Sequence, residues 1–390
     1  MAGLDPSAFG PYGPMILALT LLSAWLATDL FIPWVTRTAK KLGTFDPIDA
    51  RKVHTQPIPR LGGIAIFVGV IVSLALVEMM TPGSFFPREG PIRGILAGGA
   101  IVFLLGVVDD LKPLSARVKL VGQLAAAGIA WHLGCRIEFL SHPGGGLWVL
   151  PLTEGLPLIS IAVTVVWLVG ITNTINLIDG LDGLAAGVSL IGGLTLAIIA
   201  LETNQAMSAV IALAVVGATI GFLRYNFNPA KIFMGDGGSL FLGFTLASIS
   251  IMGVLKLVTA FTLLLPLLIL GVPIFDTIFA IIRRLWNRRP IFSPDRGHLH
   301  HRLLSAGLSH RNAVIMIYGV SLTLAGTALT MLHVQGALPM FLGAVLFLAW
   351  GGWNLLTARP DALDPIEEHL SNGAPPPEEP QTAGEPVAPR

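Results

Sequence analysis

The sequence predicts an all-α protein that crosses a membrane many times. Of its 390 residues, 53% are hydrophobic and 12% are charged, whereas soluble domains carry roughly 25% charged residues. The apolar residues fall in runs of about 17–25, the length that a membrane-spanning helix needs. The first run is long enough to span and lacks a basic segment before it, so we interpret it as a helix and not as a cleaved signal peptide.

We predict eleven spans, and the division between the eighth and ninth depends on Lys256 alone. Residues 1–358 form the predicted transmembrane domain. Residues 359–390 are rich in Pro, Glu and Gly and are predicted to be a disordered tail. The predicted spans are residues 14–36, 61–80, 92–108, 118–134, 156–176, 183–202, 206–224, 238–256, 257–282, 312–332 and 336–357.

Lysine and arginine are unevenly divided between the two sides of this arrangement. With the N-terminus outside, twenty of them fall in cytoplasmic segments and four in outer segments. Short cytoplasmic loops of membrane proteins carry such an excess. The predicted topology therefore has about 11 transmembrane helices, with the N-terminus outside and the C-terminus in the cytoplasm.

The unusual polar segments all fall on the cytoplasmic side of this topology. A transporter is expected to place ionisable residues near the bilayer midplane, whereas here they lie at the membrane edge. The net charge of +1 gives no reason to expect nucleic acid, and the single cysteine excludes an internal disulfide. The polar segments are residues 51–63, 106–120, 173–187, 224–239 and 283–304.

The segment NTINLIDGLDGL sets two asparagines and two aspartates at three-residue intervals, after an apolar run. Adjacent members of such a series are neighbours on a helix, but all four share one ligand only if the helix unwinds. Polar contact between helices is the alternative interpretation. The four residues are Asn173, Asn176, Asp179 and Asp182.

The inward-facing acids and cations together suit phosphate chemistry. Clustered carboxylates suit Mg²⁺, and close carboxylates repel, so that one can serve as a base. Nearby cations would neutralise phosphate charge, and the glycines of MGDGGS let backbone N–H groups approach an anion. The acids are Asp109, Asp110, Asp179, Asp182 and Asp236, and the cations and imidazoles are Lys119, Lys231, Arg296, His298, His300 and His301.

Several of these residues also have a purely structural interpretation. Asp236 fits a helix cap, and the histidines fit either zinc ligands or an exposed loop. Asp276 is interpreted as an ion-pair partner of the arginines that follow it, which themselves favour contact with anionic lipid. Those arginines are Arg283, Arg284, Arg288 and Arg289.

Five ordered motifs, over about residues 33–304, resemble those of the polyprenyl-phosphate N-acetylhexosamine-1-phosphate transferase family. They are DD, LSxRxKL, NxxNxxDGxDGL, PAxxFMGDxGS and HxHH. The resemblance implies that Asp236 and Asn176 hold Mg²⁺, for which Mn²⁺ is expected to substitute. It implies a catalytic group of Asp109, Asp110, Lys119 and Asp179. It implies a substrate-binding group of Asn173, Asp182, Asn226, Phe233, His298, His300 and His301.

The segments PIPRLGG and RGHLHHRL resemble the N-acetylglucosamine branch of this family more than its peptidoglycan branch. The implied reaction joins UDP-GlcNAc and undecaprenyl phosphate at the cytoplasmic face of the bacterial inner membrane and releases UMP. It is expected to be the first lipid-linked step of a cell-envelope polysaccharide. The alternatives are the phospho-MurNAc-pentapeptide transferase of peptidoglycan synthesis and a non-catalytic membrane transporter.

The implied mechanism is a single displacement, in which Asp109 or Asp110 orients or deprotonates the lipid phosphate. Lys119 and the histidine loop neutralise the developing charge. The rival mechanism passes through a phospho-aspartyl intermediate. The Gly- and Ala-rich runs permit a homodimer.

Overall fold

The described residues are almost entirely helical, as the all-α class predicts. The predicted disordered tail lies outside them, as do residues 1–11. The computed structural model describes residues 12–45, 57–82, 90–141, 147–149, 157–253, 264–288, 297–333, 340 and 342–348.

Besides residues 342–348, which are helical as well, twelve helices and two short strands with defined bounds follow one another in these described ranges. Their bounds are α1 Gly13–Leu42, α2 Gly62–Met80, α3 Pro91–Leu111, α4 Ala116–His132, β1 Phe139–Ser141, β2 Leu147–Val149, α5 Leu158–Ile178, α6 Leu184–Glu202, α7 Ala206–Asn226, α8 Gly235–Gly253, α9 Leu264–Ile269, α10 Gly271–Trp286, α11 Leu299–Ser305 and α12 His310–His333.

Seven of the described helices are long and apolar enough to cross a membrane, namely α1, α2, α3, α5, α6, α7 and α12. The chain is therefore a multi-pass membrane protein. Helix α4 has only 17 residues, and α8 begins with the polar segment GDGGS. The predicted span 257–282 corresponds in its described part to two helices, α9 and α10, with Leu270 between them. The count of eleven spans and the orientation of the termini stay predictions.

A small hairpin between α4 and α5 was not predicted. Strands β1 and β2 pair antiparallel, with Leu140 opposite Trp148. Helix α4 starts at the end of the molecule where the paired aspartates lie and runs away from it, so the hairpin lies at the opposite end. Two strands of three residues each leave the fold class all-α.

Small residues bring α2, α3 and α8 together near the aspartates. A side chain at Gly63 would collide with the backbone of Gly238, and a side chain at Gly106 would collide with the backbone of Asp236. Small residues allow such close approach between membrane helices. The approach places the first turn of α8 against the last turns of α3.

The segment before α2 is tied to the segment before α8 by backbone hydrogen bonds. Phe233 N–H donates to Pro59 O at 2.9 Å, and Gly62 N–H donates to Phe233 O at 2.9 Å. Arg60 N–H donates to Thr44 O at 3.1 Å, beyond the end of α1. The backbone of Arg60 is therefore fixed between α1 and α8.

Candidate active site

The corner between α3 and α4 positions the first aspartate of the pair. Helix α3 ends at Leu111, and Pro113 disfavours a helical conformation of the residue before it. Ser115 then caps α4 with its side chain. Asp109 Oδ1 accepts a hydrogen bond from Leu114 N–H at 2.6 Å, across the corner. The Asp109 carboxylate is thus held in place by the turn that follows it.

Lys119 joins two acids from different helices. Its Nζ lies 2.9 Å from Asp109 Oδ2 on α3 and 3.0 Å from Asp236 Oδ2 on α8. The two carboxylate side chains are 10% and 16% exposed, so they are sheltered but accessible. Hydrogen bonds between ionised groups are the strong ones, and partial burial strengthens them further.

Asp110 has a different environment from its neighbour in the pair. Its side chain is 1% exposed, and Arg60 Nη2 lies 3.0 Å from its Oδ1. It accepts hydrogen bonds from Asp236 N–H at 2.9 Å and from Gly237 N–H at 3.0 Å. The carboxylate therefore caps α8, where the helix dipole favours a negative charge. The anion that these N–H groups bind is the protein's own Asp110, which differs from the expectation for MGDGGS.

Asp236 is held from several sides in the first turn of α8. Asn176 Nδ2 donates to Asp236 Oδ1 at 3.2 Å and to Ser239 Oγ at 2.9 Å. Arg60 Nη2 lies 3.7 Å from the same Oδ1. Gly235 precedes it with a φ of 72°, a conformation that favours glycine. Helices α4, α5 and α8 and the segment before α2 thus meet at one carboxylate.

The first half of the NTINLIDGLDGL segment belongs to α5, and most of the second half forms the turn that follows it. Asn173 lies within α5 and exchanges hydrogen bonds with Gln123 of α4 at 2.6 and 3.3 Å. Asp179 follows the last residue of α5 and is partly exposed, and its N–H donates to Asn176 O at 3.3 Å. The helix unwinds before Asp182, which points to other partners.

Asp182 and Asn226 brace the turn between α5 and α6. Asp182 is 2% exposed, and its Oδ2 accepts from Ala230 N–H at 2.9 Å and from Asn228 Nδ2 at 3.0 Å. Asn226 Oδ1 accepts from Gly183 N–H at 3.0 Å. In the structure both residues bind this turn or the loop between α7 and α8, and their predicted contact with substrate stays a prediction.

Helix α12 contacts the same turn through two residues that sequence reasoning missed. His310 Nε2 accepts from Asp182 N–H at 2.8 Å, and Tyr318 Oη donates to Gly183 O. A side chain at Gly187 would collide with the Tyr318 ring. A lone histidine and a lone tyrosine in an apolar run carry no motif, so the sequence offered no signal for either.

The first motif histidine is oriented by a carboxylate. His298 Nδ1 lies 2.9 Å from Asp276 Oδ2, and both side chains are buried. Asp276 Oδ1 also accepts from Leu299 N–H at 2.8 Å, at the start of α11. The structure thus pairs Asp276 with His298, where the sequence had assigned it to the arginines that follow.

The second motif histidine is an uncharged residue at neutral pH. Burial, reinforced by the neighbouring His301, lowers the pKa of His300 to about 3. Its imidazole faces Gly180, where an added Cβ would lie 2.5 Å from Nε2. The ring centroids of His300 and His301 are 4.3 Å apart. A cationic role, predicted for the whole histidine loop, does not fit His300.

Phe233 and Arg60 lie on the two segments that backbone hydrogen bonds tie together. The Phe233 side chain is partly exposed, and its stacking on uracil stays a prediction. Arg60 contacts two of the aspartates and was not predicted as a site residue. The available signal was its position in PIPRLGG, at the start of the second predicted span.

Two carboxylates and an amide converge where the sequence predicted a metal. Asp109 and Asp236 both contact Lys119 Nζ, and Asn176 contacts the other oxygen of Asp236. Within the described ranges, no three His, Cys, Asp or Glu residues form a complete ligand set. Mg²⁺ is usually bound by one or two carboxylates together with substrate phosphates. The residues present fit an ion of that kind.

Comparisons with known proteins agree on one family. The model of glycosyl transferase family 4 matches residues 92–254, which include all three clustered aspartates and Lys119. The chain is 42% identical over 334 residues to a probable undecaprenyl-phosphate N-acetylglucosaminyl 1-phosphate transferase of Bacillus subtilis. That match covers 85% of this chain and 89% of the relative.

Two further relatives have names of the same kind. A decaprenyl-phosphate N-acetylglucosaminephosphotransferase of Mycolicibacterium smegmatis is 34% identical over 358 residues, with 85% of this chain and 86% of the relative covered. An undecaprenyl-phosphate alpha-N-acetylglucosaminyl 1-phosphate transferase of Escherichia coli K12 is 28% identical over 347 residues, with 86% and 89% covered.

Proposed function

The chain belongs to glycosyl transferase family 4, and we propose that it transfers GlcNAc-1-phosphate from UDP-GlcNAc to undecaprenyl phosphate, releasing UMP. One observation carries the proposal: three carboxylates and two cations are packed together at one end of a bundle of apolar helices. The names of the relatives support the donor and the class of acceptor. The product, undecaprenyl-diphospho-GlcNAc, starts a cell-envelope polysaccharide.

The position of the cluster suits one soluble and one lipid substrate. Asp109 and Asp110 lie in the last turn of a helix that is long and apolar enough to span a membrane. A polyprenyl phosphate keeps its tail in lipid and its phosphate at the membrane surface, where a nucleotide sugar can reach it. The excess of lysine and arginine supports a cytoplasmic site in the bacterial inner membrane.

The proposed mechanism is a single displacement. An oxygen of the lipid phosphate attacks the β-phosphorus of UDP-GlcNAc, and the bond from that phosphorus to the oxygen bridging to the α-phosphate breaks. The electron pair of the broken bond leaves with UMP. Asp109, sheltered but accessible beside Lys119, orients the attacking phosphate or accepts its proton. Asp110 supports the site as the cap of α8, because both of its oxygens already accept hydrogen bonds.

Positioning and charge neutralisation dominate phosphoryl transfer. Lys119 neutralises charge on the phosphates, and Asn176 holds Asp236 in place. When bound, Mg²⁺, or Mn²⁺ in its place, would stabilise the negative charge of the diphosphate, and Asp236 and Asn176 would hold it. Mg²⁺ dependence is part of the proposal.

The remaining predicted residues surround the donor in this proposal. Asn173 lies within α5 and Asp179 follows its last residue, on either side of Asn176, which contacts Asp236. Phe233 stacks on uracil, and His298 and His301 bind the diphosphate or the sugar. His300, Asp182 and Asn226 hold the turn between α5 and α6 in place and do not contact the donor directly.

UMP release by the purified protein tests the proposal. The protein in detergent is given undecaprenyl phosphate and Mg²⁺, with UDP-GlcNAc in one reaction and UDP-MurNAc-pentapeptide in another. We expect UMP from UDP-GlcNAc alone, and none after EDTA treatment until Mg²⁺ or Mn²⁺ is restored. Release from the pentapeptide donor alone would assign the chain to peptidoglycan synthesis. Release from neither donor, with movement of labelled solute across vesicles, would favour the transporter.

A further inference from the structure

Arg60 is, besides Lys119, a second cation in contact with the acid cluster of Asp109, Asp110 and Asp236. Neither the motifs nor the proposed mechanism assigns it a role. Its Nη2 lies 3.0 Å from Asp110 Oδ1 and 3.7 Å from Asp236 Oδ1. Lys119 contacts the other oxygen of Asp236 at 3.0 Å. Asp236 is therefore flanked by a guanidinium on one oxygen and an ammonium on the other.

The backbone of Arg60 is fixed, although the residue lies outside any helix. Its own N–H donates to Thr44 O, and the carbonyl of Pro59 before it accepts from Phe233 N–H. Gly62, two residues later, donates to Phe233 O. A guanidinium presented by a segment held in this way loses little conformational freedom when it binds a ligand, which is a property of preorganised sites.

The charges of the cluster explain why a second cation is needed. Three carboxylates, those of Asp109, Asp110 and Asp236, face two cations, Arg60 and Lys119. Both substrates bring further negative charge as phosphate. Without Arg60, a phosphate would approach three carboxylates with one fewer of the two described cations that contact them.

We propose that Arg60 is a further catalytic residue, which binds a substrate phosphate opposite Lys119. Its side chain is 27% exposed, whereas the Asp110 side chain beneath it is 1% exposed, so the guanidinium lies on the accessible side of that carboxylate. The planar guanidinium has five N–H donors whose geometry matches two phosphate oxygens at once. This inference rests on the proposed function, because the ligand is the phosphate of the nucleotide sugar or of the polyprenyl phosphate.

The competing explanation is that Arg60 only holds Asp110 and the cap of α8. Such a structural role would lower stability and affect all ligands alike. Contact with phosphate would instead weaken ligands that carry phosphate and spare those that lack it.

The test compares Arg60→Gln and Arg60→Lys with the control Arg224→Gln. Arg224 forms a more exposed ion pair with Asp29 at 3.0 Å, away from the three clustered acids, so its loss removes an arginine–aspartate pair from another place. We expect Arg60→Gln to lower kcat/KM for UMP release by about 10²-fold, the usual effect of removing one donor to a reacting oxyanion. Arg60→Lys should recover part of the rate, and Arg224→Gln should match the wild type.

Binding measurements separate the two explanations and the two phosphate sources. Affinities for UDP and uridine are measured on the same variants, together with the KM for undecaprenyl phosphate. Weaker UDP binding with unchanged uridine binding assigns Arg60 to the donor. A raised KM for undecaprenyl phosphate alone assigns it to the acceptor. Equal loss of UDP and uridine affinity, or no change in either affinity or in KM, would overturn the proposal.

Two controls keep the result interpretable. If Arg60→Gln does not fold, Arg60→Lys decides, since it keeps the charge but loses the planar pair of donors. We expect it to raise one phosphate-dependent KM or Kd about tenfold, and unchanged values would overturn the proposal. If the wild type releases no UMP, the proposed function fails, whereas the comparison of UDP with uridine still tests Arg60.

Discussion

Two groups of carboxylates and amides lie at the ends of neighbouring helices, and they are built differently. In the acid cluster, which consists of Asp109, Asp110 and Asp236, the carboxylates face cations, and two of the three are accessible. In the turn cluster, which consists of Asp182, Asn226, Asn228 and Gly183, a 2% exposed aspartate accepts hydrogen bonds from neutral N–H groups. In our proposal, similar residue types therefore serve a reaction in one place and a backbone turn in the other.

This difference indicates that the hydrogen-bond partners and the exposure of an aspartate predict its role. A carboxylate paired with an ammonium that is itself partly exposed can exchange that partner for a substrate or a metal ion. A buried carboxylate that accepts from backbone N–H groups cannot leave them without leaving those groups unsatisfied, at a cost of about 1–3 kcal/mol each. Substitutions of Asp109 and Asp236 should therefore reduce activity. Substitutions in the turn cluster should reduce stability, as should those of Asp110, which accepts from two backbone N–H groups as the cap of α8.

The largest effect is expected at Asp236. Asp236→Asn keeps the size of the side chain but removes the charge that Lys119 contacts. We expect UMP release to fall by about 10³-fold, while the apparent melting temperature, followed by tryptophan fluorescence, stays near that of the wild type. A variant that melts far earlier, or one that keeps its rate, would remove the distinction between the two clusters.

The next effect is expected at Asp182. Asp182→Ala leaves Ala230 N–H and Asn228 Nδ2 without their buried acceptor, which should reduce the free energy of unfolding by about 1–3 kcal/mol or more. The measurement is the same melting experiment, with uridine affinity alongside. An unchanged melting temperature together with lost uridine binding would return Asp182 to direct contact with substrate.

A smaller effect is expected from the carboxylate that orients His298. Asp276→Asn replaces an acceptor of the imidazole N–H, so the ring loses its preferred tautomer and orientation. We expect kcat to fall roughly tenfold, near the lower end of the effect of losing a partner that orients a metal-bound histidine. Asp29→Asn, in a remote ion pair, is the matched control. Equal rates for the two variants would show that His298 does not depend on this partner.

The smallest effect concerns pH and His300. Its pKa of about 3 in the folded protein lies below the 6.5 of an unfolded histidine, so unfolding takes up a proton between these values. Stability from this residue is present above pH 6.5 and is lost as the pH falls toward 3. At pH 5.5 the loss is about 1 kcal/mol. Melting temperatures at pH 7.5 and 5.5 should therefore differ less in His300→Asn than in the wild type, and an equal difference would contradict the buried neutral imidazole.

The sequence predicted those features that depend on local pattern. Long apolar runs predicted the helices, and the DD pair after one run placed Asp109 and Asp110 at a helix end. The motifs of the resembled family named Lys119, Asn176 and Asp236, and the structure brings their side chains within hydrogen-bonding distance of each other or of Asp109. Whether each has its predicted chemical role stays a prediction.

Features that depend on contacts between distant segments were not predictable. Asp109 and Asp110 are adjacent residues of the same type. Only the position of α8 makes Asp110 a helix cap and leaves Asp109 accessible. Arg60 reaches the acids because the segment before α2 pairs with residues near Phe233, and no periodic pattern reports such pairing. Asp276 and His298 are 22 residues apart, and the nearer arginines gave the simpler interpretation.

The identity of the nucleotide that leaves tests the central claim most directly. The purified protein is incubated with UDP-GlcNAc, undecaprenyl phosphate and Mg²⁺, and the nucleotide and lipid products are identified by mass spectrometry. Attack at the β-phosphorus predicts UMP and undecaprenyl-diphospho-GlcNAc in equal amounts. Release of UDP with a lipid that has gained only the sugar would mean attack at the sugar carbon, and would contradict a site built for phosphate transfer.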